Sequence, residues 1–352
     1  MRKTKSVNIR TLAALAGVSP ATASRALNGS TAVDAETRKR ILRLAKETGY
    51  PLKVPEARKT IAVIVPGIGN TYYSHTVTGI LEVAEQAGYS VSLHLSDSDP
   101  EKELRCLEAA AAENACGLIL APVTDRDPRT LCAFPEGFPI VVTGPRHIAE
   151  GLIHVHLDFE EAAYLSTRYL LRLGRRRIAL IVYYWANKLR DYGTFLAEYE
   201  TSDPGKYTAH DSYAGYCRAL REFGLEPDPS LITFGGFSYD SGYAAARELL
   251  GKGVDFDAFI TPNDRCGAGV LNSLTEQGIG VPAQVSLVCL DCDLIAKVIS
   301  PKLTSIASPD RKIGRCCAEQ LLKALTGAPA DDVTISASLT IESSTQFIPK
   351  ES

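Results

Sequence analysis

Apolar residues recur along this chain at two different periods. In the first fifty residues the period is helical. Ile9, Leu12, Ala13 and Ala16 fall at i, i+3, i+4 and i+7, and Ala23, Ala26 and Leu27 form a second stripe. Asn8 and Ser19 stand where a side-chain oxygen can accept the first free amides of each helix, and Pro20 follows at a position where its missing N–H costs nothing. Gly17, between the stripes, supplies the left-handed residue that stops a helix without a Cβ penalty. A third helix is predicted from its cap Asp34 through Ile41, Leu44, Ala45 and Thr48 to Gly49. Two short helices joined by a tight Gly-containing turn and closed by a third make a helix-turn-helix unit.

Beyond residue 60 the pattern changes to continuous apolar runs separated by amphipathic stretches. The runs are "TIAVIVP", "YSVSLHL", "CGLILAP", "PIVVTG", "IHVHLD", "RIALIVYY", "LITFGG", "DAFITPND" and "VSLVCLD". Runs without alternation belong to parallel strands covered on both faces. Nine such strands in two sets predict an α/β body of two doubly wound lobes, with a ligand cleft beyond the carboxyl ends of the strands. The expected layout is a head over 1–50, a short linker over 51–59 and a body over 60–352. The first lobe spans about 60–158 plus a late crossover segment. The second spans about 159–290 plus a C-terminal segment.

Charge separates the two parts. The net charge is −3, yet residues 1–59 carry 13 Lys and Arg against 4 Asp and Glu, leaving 25 basic and 37 acidic groups on the body. A basic head on an acidic body implies a polyanion partner for the head alone. Nine cysteines without framework spacing read as free thiols in a reducing cytoplasm, and the pair in "CLDC", Cys289 and Cys292, as two buried small residues. No run reaches the apolar length that spans a bilayer, and "MRKTKSVNIR" leads into a helix instead of a signal core, so no membrane partner is expected.

The outer face of the second helix is left free by its inward stripe. Starting at Ser19 and Pro20, it presents Ala21, Thr22, Ser24, Arg25 and Asn28, and double-stranded DNA is the partner this chemistry fits. Arg25 can hold guanine O6 and N7 together, and Ala21 is small enough to touch a thymine methyl. Ser19, Thr22, Ser24, Asn28 and the cap region of the third helix, including Thr37, suit phosphates, which fix register without reading sequence.

The stretches "VNIRTLAALAGVSPATASRALNG" and "VDAETRKRILRLAKETGY" closely resemble the DNA-binding head of the lactose-repressor (LacI/GalR) family. The similarity continues through "IAVIVPGIGNTYYSHTVTGILEVAEQAGYSVSL", "YLLRLGRRRIALI", "GYAAARELL", "FITPNDRCGAGVLNSLTEQGIGVPAQVSLVCLD" and "PKLTSIASPDRKIG", in the family's order. The resemblance implies a periplasmic-binding-protein-like sensor body, operator DNA as partner, a homodimer and a sugar or related metabolite as effector, with no cofactor. It places effector contacts at Asn70, Tyr72, Tyr73, Asn263 and Asp291. On the residues alone the tyrosines are equally readable as core and Asp264 as a helix cap. Three departures stand out. Ser212 occupies the position of the family's effector-binding arginine. The segment from Tyr183 to Asp211 is longer than the usual connection, and its Trp185, Tyr192, Phe195 and Tyr199 are expected either to close or rebuild the pocket or to form a separate surface element. The linker, with Pro51 and Pro55, leaves too little room for a stable helix or a leucine wedge in the minor groove.

Two other functional classes fit the sequence less well. An enzyme would need a catalytic signature, but "VPGIGN" has Tyr72 at the third glycine position of a dinucleotide loop, and neither a phosphate loop, an HExxH nor a GxSxG elbow occurs. His154 and His156 share one side of a strand without a clear third ligand, so no metal site is expected there. A pure receptor with an unused head conflicts with the coherent caps and charge of that head. The expectation is a regulator, most often a repressor in this family.

Overall fold

The computed structural model describes residues 8–27, 33–48, 50, 59–69, 71–123, 127–128, 134, 137–144, 151–183, 191–202, 207–292, 294–307 and 309–347. The chain divides into two compact units, Met1–Arg58 and Lys59–Ser352. The linker expected over 51–59 lies, except for Lys59, outside the described residues, as does Gly49.

In the first unit, Asn8 Oδ1 accepts from the Thr11 amide at 3.0 Å and starts α1 (Ile9–Leu15). Gly17 takes a φ of +66°, and the chain turns into α2 (Pro20–Leu27), where Ser19 Oγ accepts from the Thr22 amide at 3.0 Å. Asp34 Oδ1 caps α3 (Ala35–Thr48) through the Thr37 amide at 2.9 Å. Each cap satisfies an amide that the helix itself leaves free. Leu12, Ala16, Ala26, Ile41 and Ala45 are buried together, with Val18, Leu27, Val33, Leu44 and Tyr50 packed around them. Ile9, read as part of the inward stripe, is only half-buried at the first turn of α1.

The second unit holds two six-stranded sheets. The first contains β1 (Thr60–Val65), β2 (Ser90–Leu95), β3 (Gly117–Leu120), β4 (Ile140–Thr143), β5 (Ile153–Leu157) and the late strand β11 (Val333–Ile335), in the order β11-β5-β4-β3-β1-β2, all parallel. On β1, Ile61, Val63 and Val65 face α4 (Thr71–Gln86) and α12 (Asp310–Leu325), while Ala62 and Ile64 face α5 (Pro100–Ala112). Both faces are dry, which is why the strand sequence does not alternate.

The second sheet contains β6 (Ile178–Tyr183), β7 (Ile232–Gly235), β8 (Ala258–Thr261), β9 (Ser286–Cys289), β10 (Thr304–Ile306) and β12 (Leu339–Thr340), in the order β12-β10-β9-β8-β6-β7. Its helices are α6 (Phe159–Arg172), α7 (Tyr192–Thr201), α8 (Thr208–Glu222), α9 (Tyr239–Gly251), α10 (Asp264–Glu276) and α11 (Leu294–Val298). The described residues thus form twelve strands, not nine. The three extra ones are two or three residues long and carry too little apolar sequence to announce themselves. β12 runs antiparallel to β10, so the second sheet is not wholly parallel. The second lobe extends past residue 290 to β10, and the chain then passes to the first lobe for α12 and β11 before β12 pairs with β10.

Helix pairs on both sheets touch backbone to backbone at glycines. A Cβ on Gly215 of α8 would lie 2.0 Å from the Glu160 carbonyl oxygen of α6, and one on Gly314 of α12 would lie 1.9 Å from that of Thr76 on α4. The inserted segment was read as a rebuilt pocket or a surface element. Its α7, capped by Asp191, instead buries Phe195 completely against Tyr213, His210 and Phe234 in the second lobe's core. Tyr192 and Tyr199 pack beside it; Trp185 lies outside the described residues.

Candidate nucleic-acid interface and effector cleft

On α2, Ala23 and Ala26 are fully buried and Leu27 half-buried, which turns the other side of the helix outward. Ala21 and Arg25 are exposed one turn apart, with Thr22 and Ser24 half-buried beside them. Ser19 and Pro20 are exposed at the start of the helix. The Ser19 and Thr22 hydroxyls hydrogen-bond each other at 2.8 Å, so both are already oriented at the helix N-terminus, where amide dipoles favour an anion. Thr37 is half-buried and its amide is spent on Asp34. Arg10, Lys39, Arg40 and Arg43 are exposed on the same unit. Asn28 lies outside the described residues.

In the body, a cavity of ≈ 420 Å³ opens beyond the carboxyl ends of both sheets. From the first lobe, Pro66, Gly67 and Gly69 follow β1, and Tyr72 and Tyr73 open α4 with their rings edge to face at 4.9 Å. From the second lobe, Tyr183 ends β6 and Phe237 follows β7, their centroids 3.8 Å apart and planes inclined by 33°. Asn263 follows β8 and Asp291 follows β9. Four of the five residues named for an effector therefore line one cavity; Asn70 lies outside the described residues.

Asn263 is held from two sides. Its Oδ1 accepts from the Cys266 amide at 2.9 Å and caps α10, while its Nδ2 donates to the Phe237 carbonyl at 3.1 Å. The cap of that helix is thus Asn263 and not Asp264, whose carboxylate accepts from the Ala296 amide at 3.1 Å. Burial pushes the Tyr72 phenol well above its ordinary value, aided by neighbouring Tyr73, Asp310 and Asp291. Its hydroxyl therefore stays protonated and able to donate. Arg265, two residues after Asn263, reaches across the cleft and donates from Nη2 to the Gly69 carbonyl at 2.7 Å. Among the described residues this bond ties a side chain of the second lobe to the first at the edge of the cavity.

Sequence reasoning missed Phe159, Tyr183, Thr208 and Phe237, all lining the cavity. Each ends or closely follows a strand or opens a helix, and that position rule could have found them. Ser212 lies one turn further along α8 than Thr208, is 8% exposed and does not line the cavity.

The remaining chemistry is spent on packing. Cys289 is buried as read, but Cys292 is half-buried because it has passed the strand end. Burial pushes the Cys266 thiol to about 12 and that of Cys289 well above its ordinary value, so neither is a thiolate. His154 is buried with Nδ1 3.7 Å from Asp332, and His156 faces Thr334 Oγ1 at 3.4 Å. Among the described residues no group of His, Cys, Asp and Glu could hold a metal ion, and no helix is long and apolar enough to cross a membrane.

Comparison with known proteins bears on both sites. Residues 8–51 match the bacterial regulatory proteins of the lacI family, and residues 167–345 match a periplasmic binding protein-like domain. The transcriptional regulator CelR of Thermobifida fusca is 30% identical over 349 residues, covering 95% of this chain and 96% of that protein. Catabolite control protein A of Priestia megaterium is 28% identical over 333 residues, covering 92% and 94%. A solved complex of the regulator CelR with cellobiose superposes with a TM-score of 0.68 at 28% identity over 96% of this chain and 99% of that one. The lac repressor dimer bound to operator shares the fold, with a TM-score of 0.71 at 23% identity, over 97% of this chain and 100% of that one.

Proposed function

The chain belongs to the LacI family of bacterial regulatory proteins, DNA-binding transcription regulators with a sugar-binding sensor domain, and from that premise we propose how this member divides the work. The first unit reads an operator through α2, with Arg25 on a guanine and Ala21 on a thymine methyl. Ser19, Pro20, Thr22, Ser24, Asn28 and Thr37 set the register on the backbone. The second unit binds a carbohydrate or related metabolite in the cleft, between Tyr72 and Tyr73 of one lobe and Asn263 and Asp291 of the other, with Asn70 as a further contact. Occupancy of the cleft changes operator affinity, and repression is the mode we favour. The cleft binds its ligand reversibly and carries out no reaction, and the protein works in the cytoplasm beside its operator.

The observation that supports this reading best is the pairing, in one chain, of an outward-facing basic recognition helix with an aromatic cleft at the strand ends. A homodimer fits an operator with two half-sites one helical turn apart. Exposed apolar side chains on the body, Leu81 and Leu93 in the first lobe and Tyr239, Leu294 and Val298 in the second, support self-association.

Selection of duplexes bound by the full chain, followed by titration of the enriched sequence, tests the reading. Arg25→Ala costs about 1–3 kcal/mol on the selected site and relaxes preference at one base pair. Equal losses on selected and random DNA would remove Arg25 from the base-reading role.

A further inference from the structure

We infer that Ser98 is a further effector contact, and that the backbone turn beneath it is held in a strained conformation that sets its hydroxyl on the cleft wall. The inference rests on the proposed reading of that cleft and adds a residue to it. Ser98 lines the cavity from the first lobe, together with Pro66 and Gly67. It follows the edge strand β2, whereas the contacts named so far follow β1, β8 and β9.

The conformation of this stretch sets it apart. Asp97 and Ser98 take φ of +50° and +61°, and the Asp99 amide donates to the Ser96 carbonyl at 2.9 Å. Two consecutive left-handed residues closed by that bond make a type I′ turn, whose favoured central pairs are Asn-Gly and Asp-Gly. Here Asp stands at the first position and Ser where glycine is favoured. Aspartate tolerates the left-handed region, so the strain falls chiefly on Ser98, whose Cβ crowds a neighbouring carbonyl. Among the described residues, every other left-handed position holds Gly, Asp or Asn.

The turn is pinned from three sides. Ser96 is fully buried and donates its amide to the Val65 carbonyl at 3.0 Å, tying the turn to the last residue of β1. The Asp97 carboxylate pairs with Lys102. Asp99 Oδ1 accepts from the Glu101 amide at 2.8 Å and starts α5. Held in this way, Ser98 stays in the strained region, and such strain gathers where a site demands it. Glycine would serve the turn equally well, so the turn gives no reason for a side chain, whereas the cavity does. A hydroxyl both donates and accepts, so Ser98 can meet a ligand hydroxyl in either sense. A turn fixed before binding also loses little freedom when the ligand arrives.

The test compares Ser98→Ala and Ser98→Gly with wild type in the full chain. Thermal shift against a panel of pentoses, hexoses, their phosphates and common disaccharides selects the probe sugar, and calorimetry measures its affinity. Ser98→Ala keeps a Cβ in the left-handed region, so it is expected to melt with wild type and bind the probe about 2–12-fold more weakly. Ser98→Gly is expected to bind as weakly, yet to melt a few degrees above wild type, because glycine takes this conformation without a steric cost. Higher stability joined to weaker binding is the signature, since a residue serving the turn alone would change only the first. Wild-type affinity in both variants overturns the contact and leaves the carbohydrate reading standing. A Ser98→Gly variant no more stable than wild type overturns the strained turn. Binding of no panel member by wild type overturns the carbohydrate reading itself, and the Ser98 contact with it.

Discussion

The outward face of α2 takes Ala21, Thr22, Ser24 and Arg25 from a single helix of eight residues, whereas the cleft collects its wall from Pro66 to Asp291 across two lobes. On the helix, spacing alone decides which side chains share a face, and the unit beneath it needs only a small core of Leu12, Ala16, Ala26, Ile41 and Ala45. In the cleft, nothing local brings Tyr72 near Asp291. Two parallel sheets, their strand ends pointing to one place, do so. A site built on one element is broken one contact at a time. A site built by convergence fails as a whole when the helices that hold the lobes shift.

The largest contrast is in salt. On the proposed reading, DNA is bound through basic side chains of the first unit, of which Arg10, Arg25, Lys39, Arg40 and Arg43 are exposed, and such binding releases counterions. Operator affinity is expected to fall about 10³–10⁵-fold between roughly 50 and 200 mM salt if 6–10 phosphates are engaged. Calorimetry of the cleft over the same range is expected to show little change, since its contacts are stacking and short hydrogen bonds. A steep salt slope for the cleft ligand would mean the two sites are not separate in kind.

Next comes the framework of the cleft. Gly215→Val puts side-chain atoms where a Cβ already meets the Glu160 carbonyl at 2.0 Å, and backbone cannot rotate away as a side chain can. A loss of about 1–3 kcal/mol or more is expected, seen as a lower denaturation midpoint of the body and a weaker cleft ligand. Wild-type stability in this variant would show that α6 and α8 pack less closely than described.

These two cases also mark what could be read in advance. Asn8, Ser19, Asp34 and Gly17 were legible because capping depends on neighbours three residues away, and the structure gives each the role expected of it. The long apolar strands were legible because both of their faces are buried. β10, β11 and β12 were not, since strands of two or three residues are defined by their partners. In the cleft, Tyr72, Tyr73, Asn263 and Asp291 came from resemblance, while Tyr183, Phe237, Phe159 and Thr208 escaped notice. An aromatic residue at a strand end looks like core until the opposite lobe is known. Phe195 shows the reverse error, for it was read as pocket or surface and is core.

Smaller effects sharpen the picture of how the lobes are tied. Arg265→Ala removes the bond to the Gly69 carbonyl, made at 2.7 Å at a partly exposed position. A cost of roughly 0.5–1.5 kcal/mol in cleft affinity is expected, with operator affinity of the unliganded protein little changed. Unaltered ligand affinity would show that the contact does not help hold the lobes together. The smallest effect is at Glu82, where hydrogen bonds and charge from Arg311 and Arg315 lower its pKa from the ordinary 4.5. A depressed folded pKa favours the folded state above the ordinary value, and the benefit is lost as pH falls through the folded value. Glu82→Gln is therefore expected to melt slightly below wild type at neutral pH, with the difference closing at acid pH below 4.5. A difference that widens toward acid would reverse the sign assigned to the α4–α12 ion pairs.

The central claim is that two separate sites in one chain are energetically linked. Operator titration by fluorescence anisotropy, with and without saturating cleft ligand, measures that link directly in wild type, Arg25→Ala and Asp291→Ala. Wild type is expected to change operator affinity by roughly 5–150-fold on ligand binding, the range of a coupling free energy of about 1–3 kcal/mol. Arg25→Ala is expected to lose operator affinity and keep its ligand affinity, and Asp291→Ala to keep the operator and lose the response. Identical operator curves with and without bound ligand in wild type would contradict the account.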